Sequence, residues 1–231
     1  MRFQIISIFP NIFDSYINEG ILKRAHAKKI INFKIHNLRD WTSDKHKSVD
    51  DTPYGGGAGM LMKIEPLYAA LRDIKRASTK IPSNQKKIIL LSAGGETWTQ
   101  AKAKKYSKLK EVIFICGRYE GVDARISNFI DEEISIGDYV LTGGELPALV
   151  MIDSITRLLP GVLGNAESFA DESHSQPGLL EYPQYTKPEV FAVDQKKYPV
   201  PDVLLGGHHA KINEWRNKNR RQQKTLKTPA E

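Results

Sequence analysis

One cysteine, Cys116, is all that the 231 residues contain. A single thiol excludes an intrachain disulfide and a cysteine-based metal cluster. No apolar run approaches the ~20 residues that a helix needs to cross a bilayer. The opening Met1-Arg2-Phe3-Gln4-Ile5-Ile6-Ser7-Ile8-Phe9 is too short and too interrupted for a secretory leader. These absences predict a soluble, cytoplasmic protein with no membrane partner. Internal repeats and low-complexity segments are also missing. So are a Ser-His-Asp order and the G-K-[ST] of a nucleotide-triphosphate loop. His208 and His209 are adjacent, so they diverge and cannot chelate as an i, i+4 pair would. They read as capping or phosphate-contact residues. Acidic charge is scarce beside basic: 27 Asp and Glu against 34 Lys and Arg leave +7. Such an excess serves solubility or a polyanionic partner, nucleic acid first among them.

What is present is an α/β pattern. The length fits one large domain, or one domain with an appendage, and suffices for a real core. Residues 3–9 alternate and are rich in isoleucine, which predicts a buried first strand. Apolar residues from Ile12 to Ile30 recur at helical spacing. Phe33–Asn37 reads as a second strand, Asp40–Asp51 as a loop, and Glu65–Lys75 as a helix with Pro66 in its first turn. Lys87–Ser92, Glu111–Cys116 and Glu132–Ile136 read as core strands. Each is followed by glycine: Gly94-Gly95, Gly117 with Gly121, and Gly137. Helical stretches lie between them, at Trp98–Leu109 and Val122–Phe129, and Leu146–Leu159 is an apolar helix. Strand, glycine turn and helix in repetition predict a parallel sheet. From Pro160 to Gly178 the texture becomes that of a linker. Leu179–Pro201 is proline-rich and aromatic. His208–Leu226 reads as one basic helix, holding Lys211, Arg216, Lys218, Arg220, Arg221 and Lys224 against Glu214. It is either a solvated helix or one that lies along a phosphate backbone.

The most informative run is Glu132-Glu133-Ile134-Ser135-Ile136-Gly137-Asp138-Tyr139-Val140-Leu141-Thr142-Gly143-Gly144-Glu145-Leu146-Pro147. A short strand breaks into a glycine-punctuated turn and enters a helix. In an open α/β sheet such strand ends bind ligands, because free backbone groups and a helix N-terminus converge there. The run does not match the dinucleotide fingerprint. Cys116-Gly117-Arg118-Tyr119-Glu120-Gly121 ends another strand, and Leu91-Ser92-Ala93-Gly94-Gly95 a third. Three such ends side by side would make one pocket. Gly55, Gly57 and Gly59 spell G-x-G-x-G, but the polar residues before them cannot be a buried strand. That stretch is either a flexible loop or one that lets backbone approach a ligand closely.

Several runs together resemble one family over nearly the whole chain: the bacterial tRNA (guanine-N1)-methyltransferases of the knotted SPOUT class. They are Asp50–Met60, Cys116–Gly121, Ser135–Pro147, Ile152-Asp153 through Arg157 to Gly164, Leu179–Pro188, and Val203-Leu204-Leu205 with Gly207–Ile212. The resemblance implies a SPOUT-type parallel sheet with a C-terminal trefoil knot, a topology otherwise rare, plus a small, mostly helical C-terminal domain. It divides the chain into a knotted domain at 1–163 that binds S-adenosylmethionine, a flexible linker at 164–178, and a tRNA-binding domain at 179–231. The cofactor residues would be Leu91, Ser92, Gly117, Tyr119, Glu120, Ile136, Gly137, Asp138, Tyr139, Val140, Leu141, Gly143 and Gly144. The substrate would be tRNA with guanosine at positions 36 and 37, methylated at N1 of the second. The family is homodimeric, with its active site at the subunit interface. Its members use magnesium, for which no ligand is assigned here.

The implied chemistry suits the residue types. Guanine N1 carries a proton and becomes nucleophilic as a carboxylate removes it. Negative charge then develops toward O6, where a guanidinium stabilises it. By resemblance that guanidinium is Arg157. The family's base is an aspartate followed by Ser-Phe, whereas this chain has Asp171-Glu172-Ser173-His174. Counting forward from Arg157 places Glu172 there. Counting back from Gly178 misses by one residue, so Asp171 stays a candidate beside Glu172. A non-catalytic RNA-binding protein and a ribose 2′-O-methyltransferase on the same scaffold are the alternatives.

Overall fold

The computed structural model describes residues 1–163, 172–174, 176 and 178–222. The chain divides into two compact units, Met1–Gly164 and Asn165–Glu231. In the first, β1 (Arg2–Ser7) is buried from Phe3 onward. A 3-10 turn at Pro10–Phe13 leads into α1 (Asp14–Ile17), and α2 (Gly20–Ala27) follows. The single helix expected over Ile12–Ile30 is therefore broken. The Asn18 side-chain amide donates to the Asp14 carbonyl and closes α1, and Gly20 takes a φ of +55°, outside helical geometry. Next come β2 (Asn32–Asn37) and a small antiparallel pair, β3 (Asp50–Asp51) and β4 (Leu61–Met62), with the glycine-rich stretch between them. In α3 (Ile64–Ala77), Leu67, Ala70, Leu71 and Ile74 form one buried stripe.

The strand expected to end at Ser92 runs further, as β5 (Lys86–Thr97). Its register against its neighbour breaks between Leu91 and Glu96, then resumes. The resumption needs Gly95, where a Cβ would stand 2.4 Å from the Ile134 amide nitrogen. α4 (Gln100–Tyr106) is shorter than predicted and starts at Thr99, whose hydroxyl accepts from the Lys102 amide. β6 (Glu111–Cys116) is buried throughout. The helix expected over Val122–Phe129 is a 3-10 turn at Ala124–Phe129, initiated by the Asp123 carboxylate on the Arg125 amide. β7 (Glu132–Ser135) and α5 (Glu145–Thr156) complete the unit.

The main sheet has the order β2-β1-β6-β5-β7, and all neighbours are parallel. Both faces are covered, and β1, β5 and β6 feed both cores in alternation. Phe3, Ile5, Ile89, Leu91, Val112, Phe114 and Cys116 pack with α2 and α5. Ile6, Ile88, Leu90, Ile113 and Ile115 pack with α3. Continuous burial on two faces explains why these strands read as unbroken apolar runs.

In the second unit, β8 (Leu179–Leu180) precedes the antiparallel hairpin of β9 (Val190–Val193) and β10 (Lys196–Pro199). Then come α6 (Asp202–Leu205), α7 (His209–Asn219) and β11 (Arg221–Gln222), which pairs with β8. Strand thus accompanies helix in a unit expected to be mostly helical. The basic helix ends at Asn219, because Arg220 turns extended and the next two residues join a strand pair. Lys224 and Leu226 lie outside the described residues. His208 occupies the N-cap of α7 without a side-chain capping bond, which removes the capping role. Among the described residues no helix is long and apolar enough to cross a membrane.

Candidate active site

The sheet order sets β6, β5 and β7 side by side, so the C-terminal ends of β6 and β7 open beside the middle of β5. A cavity of about 340 Å³ lies there. Its walls come from Leu90–Ala93 on β5, Gly117–Val122 after β6, and two stretches around β7, Glu133–Ile136 and Tyr139–Gly144, with Pro147 of α5. The volume falls in the range of small-ligand and cofactor sites. Tyr139, Val140 and Leu141 form an exposed apolar lip.

Backbone rather than side chain shapes the interior. A Cβ at Gly144 would stand 2.7 Å from the Cys116 Cα and 3.0 Å from the Gly117 nitrogen. The Gly144 amide donates to the Gly117 carbonyl at 2.9 Å, so the loops after β6 and β7 are pinned together. Gly144→Ala is expected to push them apart and weaken binding of a small ligand in the cavity by at least about tenfold, the cost of overpacking by one methyl. Equilibrium titration of the ligand checks this; affinity within twofold of wild type would refute it.

The β3–β4 hairpin buttresses the loop after β6. The Glu120 amide donates to the Met60 carbonyl, the Met62 amide to Gly121, and the Asp123 amide to Met62, each at 3.0 Å. The glycine-rich tip thus meets the pocket wall: a Cβ at Gly59 would lie 2.3 Å from the Glu120 Cγ. Gly59 and the three glycines at 55–57 all have positive φ, and Tyr54 is fully exposed. Tyr119 adopts a left-handed φ of +60°. Burial, and then its hydrogen bond to the Asp50 carboxylate, push its phenol above the ordinary value. Burial, and next the Glu145 carboxylate, push the Cys116 thiol up, so this thiol is no nucleophile.

Eleven of the thirteen residues expected at the cofactor line this cavity; Gly137 and Asp138 do not. They belong to the turn beneath it, where the Ser135 hydroxyl donates to the Gly137 carbonyl and the Tyr139 ring packs over Gly137. Arg118, Ser135, Thr142 and Pro147 also line the cavity and escaped the sequence reading. Their one signal was position within the same quoted loops. Arg157 follows the last residue of α5 and does not line the cavity. Glu172 is half-buried in the second unit, and Asp171 lies outside the described residues. Among the described residues no group of three or more His, Cys, Asp and Glu could hold a metal ion.

Comparison with known proteins adds a match over residues 1–230 to the family described as tRNA (Guanine-1)-methyltransferase TrmD. A curated relative from Clostridioides difficile is 52% identical over 217 residues, covering 94% of this chain and 90% of that protein. One from Desulfitobacterium hafniense is 51% identical over 229 residues, covering 99% and 83%. A third, from Dictyoglomus turgidum, is 48% identical over 229 residues, covering 99% and 89%. Each of the three is named a tRNA (guanine-N(1)-)-methyltransferase. The chain, with its parallel sheet and glycine-walled cavity, belongs to the tRNA (guanine-1)-methyltransferase family.

Proposed function

We propose that this protein transfers a methyl group from S-adenosylmethionine to N1 of guanosine 37 of tRNA, in the cytoplasm. The carrying observation is the cavity itself, in a chain of this family. The ends of β6 and β7 close on it beside the middle of β5, and glycines at those ends let the loops pack backbone against backbone around it. S-adenosylmethionine supplies the methyl as an electrophile. Gly117, Gly143 and Gly144 let the loops pack tightly around the donor, and the Leu91, Ile136 and Leu141 side chains exclude water from it. Glu172, or Asp171 in its place, removes the N1 proton, and Arg157 meets the charge that develops on O6. Holding donor and base in line supplies much of the acceleration. The backbone that forms the cavity is read as a trefoil knot, with the segment after β7 tucked against the loop after β6.

The working unit is a homodimer. The ten residues from Pro147 to Arg157 span about 15 Å of helix axis. Arg157 is therefore remote from the cavity of its own chain, and fits the cavity of a partner. Leu146 and Val150 on α5 are 57% and 47% exposed, and Phe9, Ile12 and Tyr16 extend the same apolar character nearby in the first unit. A second copy is the occupant that completes the site. The second unit serves as the tRNA-binding domain. There Trp215 packs against Tyr182 and Tyr185, and the Arg216 guanidinium lies over the Tyr182 ring at 5.1 Å. Aromatic faces interleaved with Lys211, Arg216 and Lys218 suit a nucleic-acid backbone and its bases.

The test is transfer from labelled S-adenosylmethionine to a tRNA transcript with guanosine at 36 and 37, beside one with adenosine at 37. Label is expected only in the first, as 1-methylguanosine on nuclease digestion. Label on ribose would mean a 2′-O-methyltransferase. Label in neither, with the donor still bound, would refute the acceptor.

A further inference from the structure

One polar network beside the cavity is unexplained by the chemistry above. Glu145, the first residue of α5, is 1% exposed, and Ser7 at the end of β1 is fully buried. A carboxylate so buried requires donors on both oxygens. The Ser7 hydroxyl donates to Glu145 Oε1 at 2.6 Å, and Arg118 Nε donates to Oε2 at 2.9 Å. Arg118 Nη1 continues to the Thr142 carbonyl at 3.2 Å, and its Cζ lies 4.7 Å from the centre of the Phe9 ring. The Phe9 amide donates in turn to the Ser7 hydroxyl at 2.9 Å. Three separate strand ends thus converge on one carboxylate: β1 through Ser7 and Phe9, β6 through Arg118, and the segment after β7 through Thr142 and Glu145. Gly143 makes room, since a Cβ there would lie 2.2 Å from Arg118 Nε.

We propose that Ser7, Arg118 and Glu145 form a clamp that sets the two glycine-rich cofactor loops and thereby the affinity for the methyl donor. The inference rests on the reading that the cavity holds S-adenosylmethionine. Glycine-rich loops lose much conformational freedom when a ligand orders them. Ordering them beforehand reduces that loss and tightens binding. The Arg118 guanidinium is committed to Glu145, Thr142 and Phe9, so its role is positioning. Its planar fork is needed for that geometry, which the point charge of a lysine does not reproduce.

The experiment is calorimetric titration of S-adenosylmethionine into the full chain and into Ser7→Ala, Glu145→Gln, Arg118→Met and the double variant Arg118→Met/Glu145→Gln. The double variant leaves no buried charge unpaired, and Ser7 lies outside the cavity. Dissociation constants are expected to rise about fivefold for Ser7→Ala and at least tenfold for the double variant, the effect of one or two hydrogen bonds to a charged group. The KM for S-adenosylmethionine rises in parallel while the KM for tRNA stays within twofold. Wild-type binding with unchanged affinity in Ser7→Ala and in the double variant overturns the clamp alone. A loss confined to Arg118→Met, with Glu145→Gln and Ser7→Ala normal, also overturns it, because the guanidinium would then touch the donor itself. Should the double variant fail to fold, Ser7→Ala decides. A wild-type chain that does not bind S-adenosylmethionine overturns the cofactor reading and the clamp with it.

Discussion

Glu172→Ala is expected to lower single-turnover methyl transfer by about 10²–10⁴-fold, the usual contribution of a positioned general base. Binding of S-adenosylmethionine should be unchanged, because Glu172 is not among the residues that line the cavity. Guanine N1 holds its proton at neutral pH, so without an acceptor the ring has no lone pair to offer in the plane of attack. Glu172 is half-buried, and the hydroxyl of the following residue, Ser173, accepts from the Glu181 amide at 3.0 Å. That contact fixes the backbone just after the carboxylate. Asp171→Ala, measured beside it, is the comparison that assigns the base. A loss in Asp171→Ala with near-normal turnover in Glu172→Ala would transfer the role to the shorter side chain.

The second large effect is expected at Arg157. Replacement by alanine should reduce transfer by about 10²–10³-fold, the measured scale for removing one donor that stabilises developing negative charge. Arg157→Lys should recover only part of it, since an ammonium cannot present the planar fork. The same residue tests the dimer. Arg157→Ala keeps a sound cavity, and Gly144→Ala keeps a sound arginine. If Arg157 serves the partner's cavity, co-expressing the two variants restores transfer in the mixed dimer. If Arg157 serves its own, the mixture transfers no more than the two variants measured separately, because neither cavity then combines a sound wall with its arginine.

Some of this was legible before any coordinates. Residues 3–9, 87–92 and 111–116 announced themselves as strands because a sheet covered on both faces demands apolar side chains on both, and Glu132–Ile136 did so through Ile134 and Ile136. The glycines after them announced turns, and their repetition announced a ligand site. Other features were hidden for definite reasons. Helical spacing from Ile12 to Ile30 persists across Gly20, but a positive φ is a property of the backbone and leaves no trace in apolar periodicity. Gly94-Gly95 resembles a turn, yet Gly95 lets β5 press against β7, a contact between segments some forty residues apart. The basic C-terminal run looks uniformly helical until β8 competes for Arg221 and Gln222.

The sequence by itself determined the α/β class, the family and most residues of the cavity, because each of these is written in local pattern and in ordered motifs. Only the tertiary structure decided which strand ends become neighbours, since β1, β5, β6 and β7 are ordered by pairing and not by chain position. It alone joined Ser7, Arg118 and Glu145, which are more than a hundred residues apart from first to last. No periodicity can encode that meeting. A buried carboxylate must find its donors wherever the packed fold brings them.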